Sequence, residues 1–431
     1  MKYFLLPLGC AANKTDAERI AAVLEQAGFT PATSEQEADL IGVIACSIRK
    51  SAIDRVYGRA RNWNKRKKQE SLVTFVSGCI LPQDKKKFLK IFDLVINLTE
   101  VSKLPQMLKE YGATVLPILP EKFWDIQPKR DSSLTALVPI QNGCNKFCTY
   151  CAVPYTRGRE ISRPSKDILK EISQLIILGY KQITLLGQNV NSYGLDKPKT
   201  ELSFAQLLDK IGTMADQASQ KIWIYYTSPH PQDMTEEVFL VQARHKSLAN
   251  YLNFPLQSGN NKILKKMNRR YTLKKYLKML SQARKIIPDL TVSTDMIVGF
   301  CGETKTQFKD SVQALKKANV DMAFIAQYSP RPGAVAEKRF LDDVPLLEKK
   351  RRYVLLTEVL KKMAKKKNQT LVNKTVTVFI ETASRKKGKV LGRTQGLKSV
   401  ELSGQPELIG QFKKVKITKA DAWRLYGQLV F

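Results

Sequence analysis

Three cysteines, Cys144, Cys148 and Cys151, fall within eight residues in the stretch Gly143-Cys144-Asn145-Lys146-Phe147-Cys148-Thr149-Tyr150-Cys151. A local C-x3-C-x2-C array with no histidine beside it suits a soft metal or an iron–sulfur cluster. Three sulfurs on one loop can hold three irons of a 4Fe–4S cube, which leaves the fourth iron open. A structural zinc site would need a fourth Cys or His with local spacing of its own, and none lies nearby. A disulfide framework is disfavoured in a chain read as intracellular, and inert buried cysteines do not usually come three to eight residues.

Three further cysteines are far apart in sequence, and the elements around them decide their meaning. Tyr3–Leu8 reads as a strand, Leu40–Ala45 as the next, Leu72–Val76 as a third and Leu94–Leu98 as a fourth. Thr15-Asp16-Ala17-Glu18 has the form of a capping box, followed by a helical stripe that Gly28 ends. Pro82 suits the start of another helix. Near-continuous apolar runs alternating with helices predict a doubly wound parallel sheet. Cys10, Cys46 and Cys79 would each follow the carboxyl end of one of its strands, the edge at which open parallel sheets bind ligands. The alternative is three buried core cysteines.

A polar, Pro-containing linker from Pro117 to Ser133 leads to six more strand–helix alternations. The strands are expected at Leu134–Ile140, Gln182–Gly187, Lys221–Thr227, Tyr251–Leu256, Leu290–Gly299 and Met322–Tyr328, with helices including Ile168–Leu178 and Leu273–Ile287. Such a unit predicts a partial (β/α)6 barrel with its active edge at the carboxyl ends. A helix carrying Lys349-Lys350-Arg351-Arg352, Lys361-Lys362 and Lys365-Lys366-Lys367 leads into short β runs at Val376–Ile380, Val390–Gly392, Val400–Leu402 and Val415–Thr418, a small all-β barrel. The expected domains are therefore residues 1–131, 132–368 and 369–431.

Net charge is +33, from 72 Lys and Arg against 39 Asp and Glu, which favours a polyanionic partner, nucleic acid first. The small barrel alone carries twelve Lys and Arg against four acids, as basic barrels that bind RNA do; a structural or dimerisation cap is the alternative. Two histidines, His230 and His245, argue against His-rich metal or Ser–His–Asp chemistry. No apolar run reaches the ~18 residues of a membrane span. The start, Met1 to Cys10, superficially resembles a lipoprotein signal, but its apolar run is short. It reads as the first strand of a cytoplasmic protein.

The chain resembles the radical S-adenosylmethionine methylthiotransferases over essentially its whole length, and within them the branch that modifies tRNA. The likeness is carried by Cys46-Ser47-Ile48-Arg49, by GCNKFCTYCAVPYTRGRE at 143–160, by Leu185-Leu186-Gly187-Gln188-Asn189-Val190-Asn191-Ser192-Tyr193, by Leu256-Gln257-Ser258-Gly259 and by Tyr328-Ser329-Pro330-Arg331-Pro332-Gly333. Two departures stand out: Cys301 occupies a position where relatives carry Pro, and Ala11 and Ala12 follow Cys10.

The resemblance implies two 4Fe–4S clusters, one on Cys144, Cys148 and Cys151 and an auxiliary one on Cys10, Cys46 and Cys79, both with an open iron. S-adenosylmethionine would chelate the first and yield a 5′-deoxyadenosyl radical; the second would carry the sulfur to be methylated and transferred. The substrate implied is C2 of N6-isopentenyladenosine in tRNA, with the C-terminal unit a TRAM domain. Tyr150, Gly187, Gln188, Asn189, Thr294 and Asp295 are candidate cofactor contacts. Arg157, Arg159, Arg331, Lys386, Lys387 and Arg393 are candidate substrate contacts, and the C-terminal unit with the basic helix before it is expected to grip tRNA phosphates. The same chemistry on a threonylcarbamoyladenosine or a ribosomal-protein aspartate, or a non-catalytic iron–sulfur RNA-binding protein, are the alternatives. The chain is expected to be a monomer with no membrane partner; its sulfur donor and reductant are not specified by the sequence.

Overall fold

The computed structural model describes residues 1–48, 50–116 and 122–430, residue 50 by its backbone. Arg49 and the first part of the expected linker, 117–121, lie outside the described residues.

The first unit is a five-stranded sheet in the order β2-β1-β3-β4-β5, parallel throughout. Its strands are β1 (Lys2–Pro7), β2 (Thr30–Pro31), β3 (Leu40–Cys46), β4 (Val73–Cys79) and β5 (Leu94–Val95). All seven residues of β3, Leu-Ile-Gly-Val-Ile-Ala-Cys, are buried, as a central strand covered on both faces requires. One face packs under Ile20, Leu24 and Leu104 and the other under Val56, Trp63 and Phe88, so the sheet is doubly wound.

Two details correct the sequence reading. The N-cap of the first helix is Cys10, not Thr15, and the helix starts at Ala11. The reciprocal bond comes from Asn13, whose side-chain oxygen accepts from the Cys10 N–H at 3.2 Å. Thr15 lies inside the helix and turns its hydroxyl back onto the Ala12 carbonyl at 2.9 Å, a local bond available to any helical Thr. Likewise, Cys46 and Cys79 are the last residues of β3 and β4 rather than residues beyond them.

The second unit holds six parallel strands, β6 (Thr135–Pro139), β9 (Gln182–Leu186), β10 (Trp223–Tyr226), β11 (Tyr251–Asn253), β12 (Thr291–Val298) and β13 (Met322–Gln327). They form two three-stranded sheets, β10-β9-β6 and β11-β12-β13. The segment before β11 joins the halves: Ile224 N–H donates to Ser247 O at 2.8 Å and Ala249 N–H to Ile224 O at 2.9 Å. The result is an open barrel with β6 and β13 at its edges. A two-residue hairpin of β7 (Gln141–Asn142) and β8 (Ile161–Ser162) clasps the ends of the cysteine loop.

The third unit is a closed five-stranded barrel, β14-β15-β16-β18-β17. Its strands are β14 (Thr375–Ala383), β15 (Lys389–Thr394), β16 (Ser399–Ser403), β17 (Phe412–Ala420) and β18 (Leu425–Leu429). The last was not anticipated, because Leu-Tyr-Gly-Gln-Leu is short and broken by a glycine. The helix Leu346–Gln369 connects the two barrels, and two of its expected phosphate-binding cations are internal. Lys349 bonds Asp342 and the Tyr328 carbonyl, and Arg352 pairs with buried Glu303 at 2.8 Å.

The small barrel closes the amino end of the large one. Phe379 is fully buried with Trp223, Tyr225 and Ala249, and the Phe412 ring stands edge-on to Trp223 at 4.7 Å. The Tyr225 hydroxyl donates to Gln395 O at 3.1 Å, while Asp321 receives both Lys367 (2.7 Å) and Lys398 (2.8 Å). A Cβ on Gly396 would stand 2.1 Å from Thr291 Oγ1, so that turn admits only glycine. Phe379→Ala is expected to cost about 3–5 kcal/mol. Limited proteolysis should then release the C-terminal barrel well below the melting temperature of the remainder.

Candidate active site

The cysteine loop is pinned from several sides. Gly143 has φ +78°, and a Cβ there would meet the Arg159 carbonyl at 2.0 Å. Phe147 also sits in the left-handed region, at φ 48°, which is unfavourable for a bulky residue. Asn268 compensates by donating to the Lys146 and Phe147 carbonyls at 2.9 and 3.1 Å. Gln188 accepts from Gly143 N–H at 2.5 Å, and the Thr149 hydroxyl donates to Lys266 O at 2.9 Å. Arg269, buried, aims one N–H at Cys148 Sγ (3.6 Å) and another at Pro255 O (3.0 Å). Burial pushes the Cys144 thiol up to about 11 and Cys151 to about 12, so a bound metal would have to displace their protons.

The candidate cofactor contacts separate into two groups. Asn189 is buried; its Nδ2 donates to Asp233 at 2.7 Å and its Oδ1 has no partner among the described residues. Asp295 lies on the inner face of β12 with Asn253 Nδ2 at 3.2 Å. Thr294 is a correction. Adjacent strand residues point to opposite faces, and its hydroxyl is taken up by Phe254 O at 2.8 Å beside Tyr276, within the helical shell. Gly187 serves the turn itself, since a Cβ would stand 2.9 Å from Val190 Cα. Gln188 is committed to the loop, as above. Tyr150 packs on Met267, Phe300 and Tyr328, and burial pushes its phenol up.

Asn268, Arg269 and Asp233 lie outside the candidates drawn from the sequence, and His230, which the sequence places at the expected active edge after the Lys221–Thr227 strand, has no role assigned to it there. His230 accepts from Gln232 N–H through Nδ1, and burial depresses it to about 2, so it is neutral, with Nε2 unpartnered among the described residues. Of the first three only Arg269 is of a type that carries a signal, and it has no local motif.

Cys46 and Cys79 are register partners on neighbouring strands. Cys10 joins them through Asn13, whose Nδ2 donates to Ala45 O at 3.0 Å while its oxygen accepts from Cys10. A Cβ on Gly9 would meet Asn13 Oδ1 at 2.0 Å and Cys46 Cβ at 3.0 Å; only glycine lets the Cys10 turn approach. Ala11 and Ala12 form the half-buried first turn beside it. Cys301, by contrast, is fully buried among Ile263, Met267 and Phe300.

Arg157 ties the two cysteine sets together. From the turn after Cys151 it donates Nε to Cys79 Sγ at 2.9 Å, Nη2 to Asp16 at 2.5 Å and Nη1 to Asn142 at 3.1 Å. Its side chain and that of Asp16 are 4% and 3% exposed, so it is a brace and not the free substrate contact expected. Arg331 is likewise spent, donating Nε to Ile48 O at 2.7 Å across the same interface. Arg159 stays exposed, its guanidinium 4.5 Å over the Phe147 ring. On the small barrel Lys387 is exposed, Lys386 lies 3.2 Å from Glu401 and Arg393 3.2 Å from Glu381.

The donor set of each triad, thiols alone, fits an iron–sulfur cluster. Among the described residues no three His, Cys, Asp or Glu groups stand in the geometry of a single-ion site. Comparison with known proteins completes the picture. The model for the Radical SAM superfamily matches residues 138–315, that for Uncharacterized protein family UPF0004 residues 2–99, and that for the TRAM domain residues 369–430. A tRNA-2-methylthio-N(6)-dimethylallyladenosine synthase of Thermotoga petrophila is 38% identical over 100% of this chain and 97% of its own. The chain belongs to the radical S-adenosylmethionine methylthiotransferases. Synthases of the same name from Carboxydothermus hydrogenoformans (38%, covering 99% of each chain) and Parabacteroides distasonis (35%, covering 100% and 95%) agree. The fold is shared with the radical S-adenosylmethionine methyltransferase TsrM of Kitasatospora setae, at TM-score 0.57 and 13% identity over 78% of this chain and 77% of that one. Membership in this family implies S-adenosylmethionine and a 4Fe–4S cluster as cofactors. No described helix is long and apolar enough to cross a membrane.

Proposed function

We propose that the protein is a tRNA methylthiotransferase that converts N6-isopentenyladenosine beside the anticodon to its 2-methylthio derivative. The observation that carries this reading is the Arg157 brace, which sets the loop of Cys144, Cys148 and Cys151 against Cys79 of the other set. Two sets of three thiols brought together by one side chain, rather than a single set, suit the transfer of a whole methylthio group. Cys144, Cys148 and Cys151 would hold one 4Fe–4S cluster and Cys10, Cys46 and Cys79 a second. With S-adenosylmethionine bound, the first supplies radical chemistry strong enough to break an unactivated aromatic C–H bond.

The residues of the chain position and seclude that chemistry. Gln188 and Asn268 fix the loop backbone; Arg269 holds positive charge beside Cys148. Asn189, Asp295 and neutral His230 offer polar atoms around the carboxyl ends of the strands. The aromatic plug at the amino end keeps water from entering through the bottom of the barrel. Arg159 and the cations of the small barrel are assigned to RNA, the protein acting as a cytoplasmic monomer with units divided near residues 131 and 368.

The test is product analysis. Reconstituted protein given S-adenosylmethionine, a reductant and tRNA lacking methylthio groups should yield methylthio-isopentenyladenosine in nucleoside digests by mass spectrometry. A methylthio-threonylcarbamoyl nucleoside would move the substrate; 5′-deoxyadenosine with no modified nucleoside would remove the tRNA assignment.

A further inference from the structure

A second concavity of the molecule lies away from the cysteines. A cleft of about 1590 Å³ runs along the seam where the small barrel and the end of helix Leu346–Gln369 meet the amino ends of the large barrel's strands. Nine Lys and Arg line it against three Asp. The acids are largely engaged: Asp321 takes Lys367 and Lys398, and Asp216 takes His245 at 2.9 Å. Arg244 pairs outward with Asp209. Six lysines remain, Lys221, Lys246, Lys316, Lys366, Lys374 and Lys414, with no side-chain hydrogen bond or ion pair among the described residues. They come from both units that form the seam.

Such an arrangement is unfavourable by itself. Like charges facing one another across a domain seam repel, and burial together with the Lys414 ammonium pushes Lys221 below its ordinary range. A bound polyanion relieves both. Six cations exceed what one phosphate group can contact, while a run of phosphodiesters meets them about one for one. A protein partner would instead look for an apolar anchor, and the aromatic residue on this wall, Trp223, is already covered by Phe412.

We propose that the seam cleft binds the phosphate backbone of the substrate RNA, at a segment remote from the reacting base. The proposal rests on the tRNA reading above and adds a place to it. The eight residues of β12 run from Thr291, on the cleft wall, to Val298 at the opposite rim, about 25 Å at ~3.3 Å per residue. At roughly 3.4 Å per stacked nucleotide, the contacted phosphates lie about seven or more nucleotides from the base at the cysteines. The sequence reading assigned RNA to the small barrel and the basic helix; Lys221, Lys246 and Lys316 on the large barrel were not among its candidates.

The experiment compares the reconstituted full-length protein with K366E/K374E, two exposed lysines whose side chains make no hydrogen bond or ion pair among the described residues, and with K221Q/K414Q. Binding is titrated against full-length unmodified tRNA and against a five-nucleotide strand centred on the target adenosine, across salt concentrations. Both variants should bind tRNA about tenfold or more weakly, with a log–log salt slope shallower by about 1–2. Affinity for the five-nucleotide strand and RNA-independent cleavage of S-adenosylmethionine should be unchanged. Unaltered tRNA affinity and slope in both variants would overturn the cleft while leaving the tRNA reading intact. Equal losses on the short strand would place the lysines near the reacting base and overturn it as well. Displacement of tRNA by poly-glutamate at comparable charge would assign the cleft to an acidic protein instead, and a wild-type protein that binds no tRNA would sink both readings together.

Discussion

Alanine at Cys10, Cys46 or Cys79 is expected to abolish formation of the methylthio nucleoside while S-adenosylmethionine is still cleaved to 5′-deoxyadenosine. The two cysteine sets have different origins in the chain. One is carried by a single loop held by Gln188, Asn268 and Thr149. The other is assembled by the parallel sheet, with two thiols at the ends of adjacent strands and one at a helix N-cap. Neither set has a local fourth thiol to stand in for a lost ligand, and Cys301 is sealed in a separate apolar cluster. Removing one sheet cysteine should therefore halve the iron content and cost more than the roughly 10–100-fold typical of an outer-shell change. Alanine at Cys144, Cys148 or Cys151 should instead stop both reactions. Iron analysis, 5′-deoxyadenosine and modified nucleoside measured on one sample distinguish these outcomes. Methylthio transfer at the wild-type rate by any of the three sheet variants would sink the two-cluster reading.

What the sequence disclosed about this site follows the range of the interactions involved. The loop triad is legible because its ligands are separated by three and two residues. The sheet triad was legible one step further, because unbroken apolar runs such as Leu40–Cys46 mark central strands, and strand ends mark a common edge. Roles that depend on a distant partner were not. Arg157 was recognised as a residue of interest, but Asp16, 141 positions earlier, makes it a brace. Arg331 reaches Ile48 from 283 positions away. Thr294 and Asp295 looked alike in the sequence; the strand sends one to the helices and the other to the interior, and β12 is polar on both faces at that point, so its pattern does not fix the phase. The Thr15–Glu18 motif failed for a related reason. A capping box is a pattern of side chains, and its meaning depends on where the strand before it ends. Here a Gly-Cys turn caps the helix five residues sooner.

Arg157→Ala is expected to have the largest effect of any change outside the cysteines. The guanidinium satisfies three acceptors from three places, Asp16 on the first helix, Cys79 on β4 and Asn142 on β7. Burial raises the Asp16 carboxyl, and the adjacent Arg157 is the main influence drawing it back down. Without that partner the carboxylate is left uncompensated in the interior, a loss of about 3–5 kcal/mol when one member of a buried pair is removed. Arg157→Lys should recover only part, since an ammonium is a point donor and cannot span three acceptors as a planar fork does. Removing both charges together, as Asp16→Asn with Arg157→Met, should be far milder than the single alanine, and a double-mutant cycle by urea unfolding should return a coupling of about 1–3 kcal/mol. Activity should not recover with stability. The double variant has lost the contact that sets one cysteine set against the other, and a misplacement of about 1 Å costs on the order of a hundredfold. A double variant that is both stable and fully active would show that Arg157 serves only to neutralise Asp16, and that the spacing of the two sites is fixed elsewhere, with the Arg331–Ile48 contact the next to test.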